Sequence, residues 1–258
     1  MNNGEMYHQH SDLQFRGGCS LMHEMLKPKR GESILDLGCG TGRLTMQLAS
    51  LVGDSGRVVG VDPDPCRIAV AKEQLTKTNV DVPVVFRLGS IYEAVRFGQF
   101  DGIFSNYVFH WFERTERAEM MQKMYDCLKP GGRLTFLLEP HQPQRKFIIR
   151  DAVRLAMPTV DEEYASGMKM DPPSVWLQHC STAGFAVELS QVVEINEVEQ
   201  TLEKLLQVVE AAIPNFKSNM LQDNDLQTLK NRYKSGNGDE VVHTITLLKV
   251  SARKPLTP

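Results

Sequence analysis

The sequence predicts an α/β protein: a doubly wound, seven-stranded sheet, mostly parallel, with an antiparallel C-terminal edge pair and a helical cover. Three observations predict it. From residue 33 to about 138, short continuous apolar runs alternate with stretches of helical spacing, the pattern of strands buried on both faces by crossover helices. A glycine-rich turn, Gly38-Cys39-Gly40-Thr41-Gly42, stands between the first such run and the first helix. Two further strand-like runs come late, and no long apolar helix pattern follows the last, which suits an antiparallel pair.

The elements follow in order. SILDLG (33–38) is a buried strand ending in glycine, and RLTMQLASLV (43–52) is the helix after it. RVVGVD (57–62) and PCRIAVAKEQLTKT (65–78) form the next strand and helix. PVVFRLG (83–89) is the third strand, FDGIFSNYV (100–108) carries the fourth, and ERAEMMQKMYDCL (116–128) is the helix behind it. KPGG (129–132) reads as a turn, because proline and two glycines break both periodicities, ahead of the fifth strand RLTFLLE (133–139). Beyond residue 140, RKFIIRDAVRLAM (145–157) is helical, SVWLQHCSTAG (174–184) is a helix ending at Gly184, and AVELSQVVEI (186–195) is a strand. EVEQTLEKLLQVVEAAI (197–213) is an amphipathic helix whose Leu202, Leu205, Leu206 and Val209 form one stripe for a core. A helix near 222–233, a turn at SGNGDE (235–240) and the strand VVHTITLLKVSA (241–252) complete the pattern. The expected organisation is one domain over 1–258, with its core at 33–139 and elements covering the strand C-termini at 1–30 and 140–235.

Composition narrows the function class. With 258 residues, 41% of them hydrophobic, the chain can bury a sizeable core. A formal net charge of -3 offers no electrostatic footprint for nucleic acid or anionic lipid, so neither partner is expected. The five cysteines are scattered and odd in number, with no CxxC pair, which points away from a metal site or a disulfide framework and toward free thiols in a reducing compartment. The polar start MNNGEMYHQHSDLQ has no apolar signal region, and no run is long enough to cross a bilayer, so the expected location is the cytoplasm.

The chemistry is carried first by Asp36-Leu37-Gly38-Cys39-Gly40-Thr41-Gly42. Glycines at a strand-to-helix turn let the backbone approach a ligand, and the helix start beyond them offers free N–H groups. Asp62 ends the second strand, where a carboxylate accepts hydrogen bonds from both hydroxyls of a ribose. Two nucleotide cofactors fit such a set. A dinucleotide fingerprint needs G-x-G-x-x-G, whereas this turn reads G-x-G-x-G with an aspartate two residues ahead.

ILDLGCGTG, VVGVDPDP and the KPGG turn, taken in order, resemble the motifs of the class I, Rossmann-like S-adenosylmethionine (SAM)-dependent methyltransferases over roughly residues 33–138. The resemblance implies SAM as cofactor. It places Gly38 and Gly40 under the methionine part, Asp36 near its ammonium end, Asp62 on the ribose and Pro63 against the adenine. Ser90, in Gly89-Ser90-Ile91, stands where the family often has an acid on the adenine amino group, and a hydroxyl there is a weaker acceptor. Cys39, Gly42, Ile91 and Asn106 complete the expected cofactor set.

The acceptor site is expected beyond the strand C-termini, beginning with Ser105 to Phe112. The Asn/Asp-Pro-Pro-aromatic set of base-modifying amino-methyltransferases is missing there. Gln14 ahead of the core and the His110-Trp111 pair after the fourth strand resemble the juvenile hormone acid methyltransferases and, more loosely, the plant salicylic/benzoic acid enzymes. The trans-aconitate methyltransferases share a Trp near the same place. The likeness implies a small-molecule acid as substrate, its carboxylate held by Gln14 and Trp111 and esterified. A carboxylate is already ionised at neutral pH, so the reaction needs neutral donors and positioning rather than a base. Two alternatives stay open: an amine, phenol or carbon acceptor with His110 or His141 as base, and SAM binding without catalysis. Each residue also has a plainer role: Trp111 as sheet-edge packing, Gln14 as a solvated side chain, and His110 or His141 as a helix cap or a partner for a backbone carbonyl. Oligomeric state is not legible.

Overall fold

In the computed structural model the described residues are 11–78, 83–140, 148–160, 170–199, 201–213, 215–236 and 240–256. Ahead of the sheet stand α1 (Asp12–Leu21) and a π-turn (Met22–Leu26). Next come β1 (Ser33–Leu37), α2 (Arg43–Val52), β2 (Arg57–Asp62), α3 (Pro65–Lys77), β3 (Val84–Leu88) and α4 (Ile91–Ala94). Then follow β4 (Phe100–Asn106), a 3-10 turn (Phe109–Trp111), α5 (Arg117–Cys127) and β5 (Leu128–Leu138). The rest is α6 (Ile148–Ala156), α7 (Pro173–Thr182), β6 (Ala186–Glu199), α8 (Leu202–Ala212), α9 (Asp223–Tyr233) and β7 (Val241–Arg253).

The seven strands lie in the order β3-β2-β1-β4-β5-β7-β6. β1 pairs in parallel with β2 and β4, β2 with β3, and β4 with β5, while β5 pairs antiparallel with β7. The strand order therefore reverses between β1 and β4, which is the switch point where open α/β sheets hold ligands at their strand C-termini. The fold expected from the sequence is the fold observed.

Two compact units are distinguished. The first comprises Met1–Leu138, Pro172–Val192 and Leu248–Pro258. Its core packs Leu35, Leu37, Ile103 and Phe136 of the sheet against Met120, Met121 and Met124 of α5 and Trp176 of α7. The second comprises Glu139–Asp171 and Val193–Leu247. There the Leu202, Leu205, Leu206 and Val209 stripe is buried against Val153 and Leu229, as its spacing predicts. Asp151 of α6 accepts a hydrogen bond from the Tyr233 hydroxyl at 2.8 Å and pairs with Arg232, both of α9. No helix among the described residues is long and apolar enough to cross a membrane.

Two sequence expectations are corrected. KPGG is not a separate turn ahead of the fifth strand: residues 129–132 lie inside β5, with the register against β4 shifting between Phe100 and Gly102. Gly131 N–H donates to the Lys254 carbonyl and Lys254 N–H to Gly132, so the chain after β7 keeps this irregular stretch paired. Residues 197–199, expected in a helix, continue β6, and the helix starts only beyond Thr201, whose side chain caps it at Lys204 N.

α1 is pinned to the first unit by long-range contacts. Arg133 of β5 forks onto Glu32 (2.6 and 3.0 Å) and donates from Nε to the Leu26 carbonyl at 2.7 Å. Lys249 Nζ donates to Ser20 Oγ at 2.6 Å and reaches Glu24 Oε2 at 3.1 Å.

Candidate cofactor and acceptor site

The glycine turn is tied to the neighbouring strand. Gly38 N–H and Cys39 N–H both donate to the Val61 carbonyl, at 2.8 and 3.1 Å. Gly42 takes φ +81° as the N-cap of α2, and a Cβ there would sit 2.6 Å from Phe86 Cζ. Gly38, at φ +75°, would put a Cβ 2.1 Å from Val108 Cγ2. Both positions thus demand glycine for conformation and for space. The Cys39 thiol is buried, its pKa raised by desolvation and by Asp36 and Asp62, so it is an inert part of the turn.

Asp62 organises the turn from the end of β2. Its Oδ2 accepts Gly40 N–H and its Oδ1 accepts Asp64 N–H, each at 2.9 Å. Burial raises its pKa, against the backbone hydrogen bonds and Arg67, which favour the charged form. A carboxylate offers about four acceptor directions, so about two remain for other donors. Asp64 caps α3 by accepting from Cys66 N and Arg67 N. Pro63 beside it is exposed, as is Leu88 at the end of β3.

Ser90 is more occupied than its position suggests. It caps α4, accepting from Tyr92 N–H at 3.3 Å, and its hydroxyl donates to Glu93 Oε2 at 2.8 Å. The same carboxylate oxygen takes Ser90 N–H at 2.6 Å, and these hydrogen bonds hold the Glu93 pKa below its ordinary value. Ile91, the next residue, turns its side chain into the apolar core.

At the β1 end, Asp36 is buried and accepts from Thr45 Oγ1 at 2.6 Å. Burial pushes its pKa up to about 7, with Thr45 opposing the shift and the charge of Asp62 adding to it. Asp36 lines a cleft together with Ser11, Gln14, Phe15, Arg43 and Asn106. Asn106, at the end of β4, donates from Nδ2 to the backbone carbonyl of Gln14 at 2.9 Å. The Arg43 guanidinium lies 4.2 Å from the Phe15 ring centre and donates to Asp12 at 3.0 Å. Ser11, Phe15, Arg43 and Thr45 were not anticipated. The signal for the last two was their place in the first turn after the glycines, while Ser11 and Phe15 carry no local signal.

Between β4 and the 3-10 turn, Tyr107 holds φ +58°, unusual for an aromatic residue and a common mark of functional loops. His110 follows, with 1% of its surface exposed and its Nδ1 enclosed without a partner. Burial first, and then the charge of Arg117, bring its pKa down to about 3. Arg117 is itself buried, 4.3 Å from the Trp176 ring centre, and donates from Nε to the Phe112 carbonyl. Trp111 is 50% exposed and is not among the residues lining the cleft. Gln14 and Trp111, expected as partners, therefore do not meet in that cleft, whereas Gln14, Asp36 and Asn106 do. His141 lies outside the described residues.

This arrangement fits an adenosyl sulfonium cofactor. Asp62 keeps acceptor capacity beside the glycine turn, and the amide oxygens of Gln14 and Asn106 are enclosed without a partner. Residues 34–132 match the family model described as a methyltransferase domain. The ubiquinone/menaquinone biosynthesis C-methyltransferase UbiE of Enterobacter sp. (strain 638) is 36% identical over 111 residues, 42% of this chain and 43% of that protein. The arsenite methyltransferase of Aquipseudomonas alcaligenes is 37% identical over 126 residues, 46% of this chain and 35% of its own length. The chain thus spans less than half the length of these curated relatives. Among solved structures, YcgJ of Bacillus subtilis is similar with a TM-score of 0.66 at 18% identity, covering 93% of this chain and 99% of that one, a likeness of fold. Over residues 34–132 the chain is therefore similar to methyltransferase domains, and this similarity supports SAM as the cofactor.

Proposed function

We propose that the chain transfers a methyl group from SAM to a small molecule, and that the acceptor is a carboxylic acid, released as its methyl ester. When bound, SAM supplies an electrophilic methyl on a sulfonium, and an already ionised acceptor takes it with no proton to remove. The observation that carries the proposal is the state of His110. Enclosed, and with its pKa at about 3, it is neutral at physiological pH and too weak a base for an amine or phenol. Trp111 beside it presents an indole on an exposed turn, and an indole N–H is a neutral donor that orients a carboxylate without quenching its charge. The likeness to juvenile hormone acid methyltransferases supports the same assignment. The net charge of -3 favours a small molecule over nucleic acid, and the free cysteines favour a reducing, cytoplasmic setting.

A second reading comes from the relatives, one named a C-methyltransferase and one an arsenite methyltransferase. A carbon or soft inorganic acceptor fits the cofactor half equally well. The test is transfer from methyl-labelled SAM to a panel of fatty, isoprenoid, aromatic and tricarboxylic acids, beside quinols and arsenite. An alkali-labile labelled product supports carboxyl methylation. Alkali-stable product overturns it in favour of the second reading. Binding of SAM with no transfer to any acceptor leaves a domain that binds without catalysis.

A further inference from the structure

We propose that Gln14 and Asn106 join Asp36 in seating the α-ammonium group of the cofactor's methionine part, so that Gln14 serves the cofactor and not the methyl acceptor. The proposal rests on SAM being the cofactor, and deepens that reading.

The argument begins with an unanswered pair of oxygens. Asn106 is only 9% exposed, and its Oδ1 is enclosed with no hydrogen-bond partner. Its orientation is not arbitrary. Nδ2 is spent on the Gln14 backbone carbonyl at 2.9 Å, so the oxygen is the end left without a partner. Gln14 Oε1 is enclosed in the same way, also without a partner. Both residues line one cleft with Asp36, whose carboxylate meets Thr45 on one side.

Three acceptors on residues that line one cleft, two of them without a partner, call for a ligand group that only donates. An ammonium has three N–H donors, no acceptor and a positive charge. A carboxylate brings acceptors and negative charge against the same oxygens, so the acid of a methyl acceptor is the wrong chemistry for this place. A cation also answers the cost of burying Asp36, whose carboxyl is otherwise pushed toward its neutral form. The backbone supports this use of α1. Gly18, one turn beyond Gln14, lets the helix sit where a Cβ would be 2.3 Å from Leu44 Cδ1 and 3.1 Å from Asn106 Nδ2.

The test measures binding by calorimetry on the full chain, with S-adenosylhomocysteine and its deamino analogue, in which hydrogen replaces the amine. The wild type prefers the amine-bearing ligand. Gln14→Leu lowers that preference by about tenfold, the worth of one hydrogen bond to a charged group, and leaves the deamino form bound as before. Gln14→Glu, of similar length and charged, raises the preference. A helix-packing role would not move the two variants in opposite directions. Asn106→Leu lowers the preference as Gln14→Leu does, and the Gln14 pair stands on its own if that variant does not fold. An unchanged preference in both Gln14 variants, with S-adenosylhomocysteine still bound, overturns the assignment alone. Failure of the wild type to bind S-adenosylhomocysteine overturns the cofactor reading and the assignment with it.

Discussion

Asp62→Asn is the sharpest perturbation of the cofactor site, because volume is kept while acceptors are removed. The carboxylate already takes Gly40 N–H and Asp64 N–H at 2.9 Å each, and the ribose would bring two more donors. Asn offers one oxygen with two lone pairs, and its NH2 must face a backbone N–H or a hydroxyl. At least one charge-assisted hydrogen bond is lost and one donor is opposed, about 3 kcal/mol together, or on the order of 100-fold in Kd. Folding is affected in both directions. An opposed backbone N–H destabilises, while removal of a buried charge relieves the desolvation that raises the Asp62 pKa. Binding should therefore fall further than stability. Calorimetric titration with S-adenosylhomocysteine near neutral pH, with thermal unfolding in parallel, separates the two. A 2′-deoxy analogue adds a control: it should bind the wild type weakly and lose little more in the variant. Affinity for the full ligand within about threefold of wild type, with an unchanged Tm, would refute the ribose assignment.

Four further outcomes are expected. Gly42→Ala combines left-handed strain with the 2.6 Å contact to Phe86 and should cost about 2–4 kcal/mol in denaturant unfolding. Gly236→Ala, at φ +61° with nothing within 4 Å, should cost only the strain, about 1 kcal/mol, and equal losses at the two sites would count against the packing argument. For Asp36, S-adenosylhomocysteine affinity should fall as pH drops below about 7, because burial first, and then the charge of Asp62, raise its carboxyl to protonate there while the Thr45 hydrogen bond resists. Its folded pKa is raised, so its contribution to stability is full below the unfolded value and is lost as pH rises through about 7; affinity flat from pH 5.5 to about 8 would contradict the assignment. Transfer rate should show no limb near pH 6.5 traceable to His110, and such a limb, abolished in His110→Gln, would restore it as a base. Trp111→Ala should lower kcat/KM for the acid by about tenfold or more, with cofactor affinity unchanged and stability within about 0.5 kcal/mol; undiminished transfer would return Trp111 to packing.

How much was legible follows from how far each determinant reaches along the chain. β2 is read from its own residues, a β-branched run stopped by Asp62-Pro63, and the observed strand has the expected limits. The glycine turn is equally local, since positive φ at Gly38, Gly40 and Gly42 is what glycine supplies. KPGG misleads for the opposite reason. Its residues have the composition of a turn, but their conformation is decided by Lys254, far along the chain. Gln14 is the same problem at the site. It lines a cleft with Asn106 and Asp36 while Lys249 holds Ser20 of α1 and Arg133 holds Glu32 and the Leu26 carbonyl just beyond it, and none of those pairings leaves a trace near residue 14.

Ser90 shows a subtler way for a site to be misread. Position by position, a serine stands where an acid is expected after the third strand, and the turn looks weakened as an acceptor. The fold returns a carboxylate to the same turn from three residues on. Glu93 Oε2 lies 2.6 Å from Ser90 N, and a Cβ on Gly89 would come within 3.1 Å of it, so a carboxylate stands beside this turn although no acid is in it. The cap that does this is written as S-x-x-E, a helix-start signal. Ser90-Ile91-Tyr92-Glu93 carries that signal, and the local hydrogen bonding it sets up decides which groups remain for a cofactor.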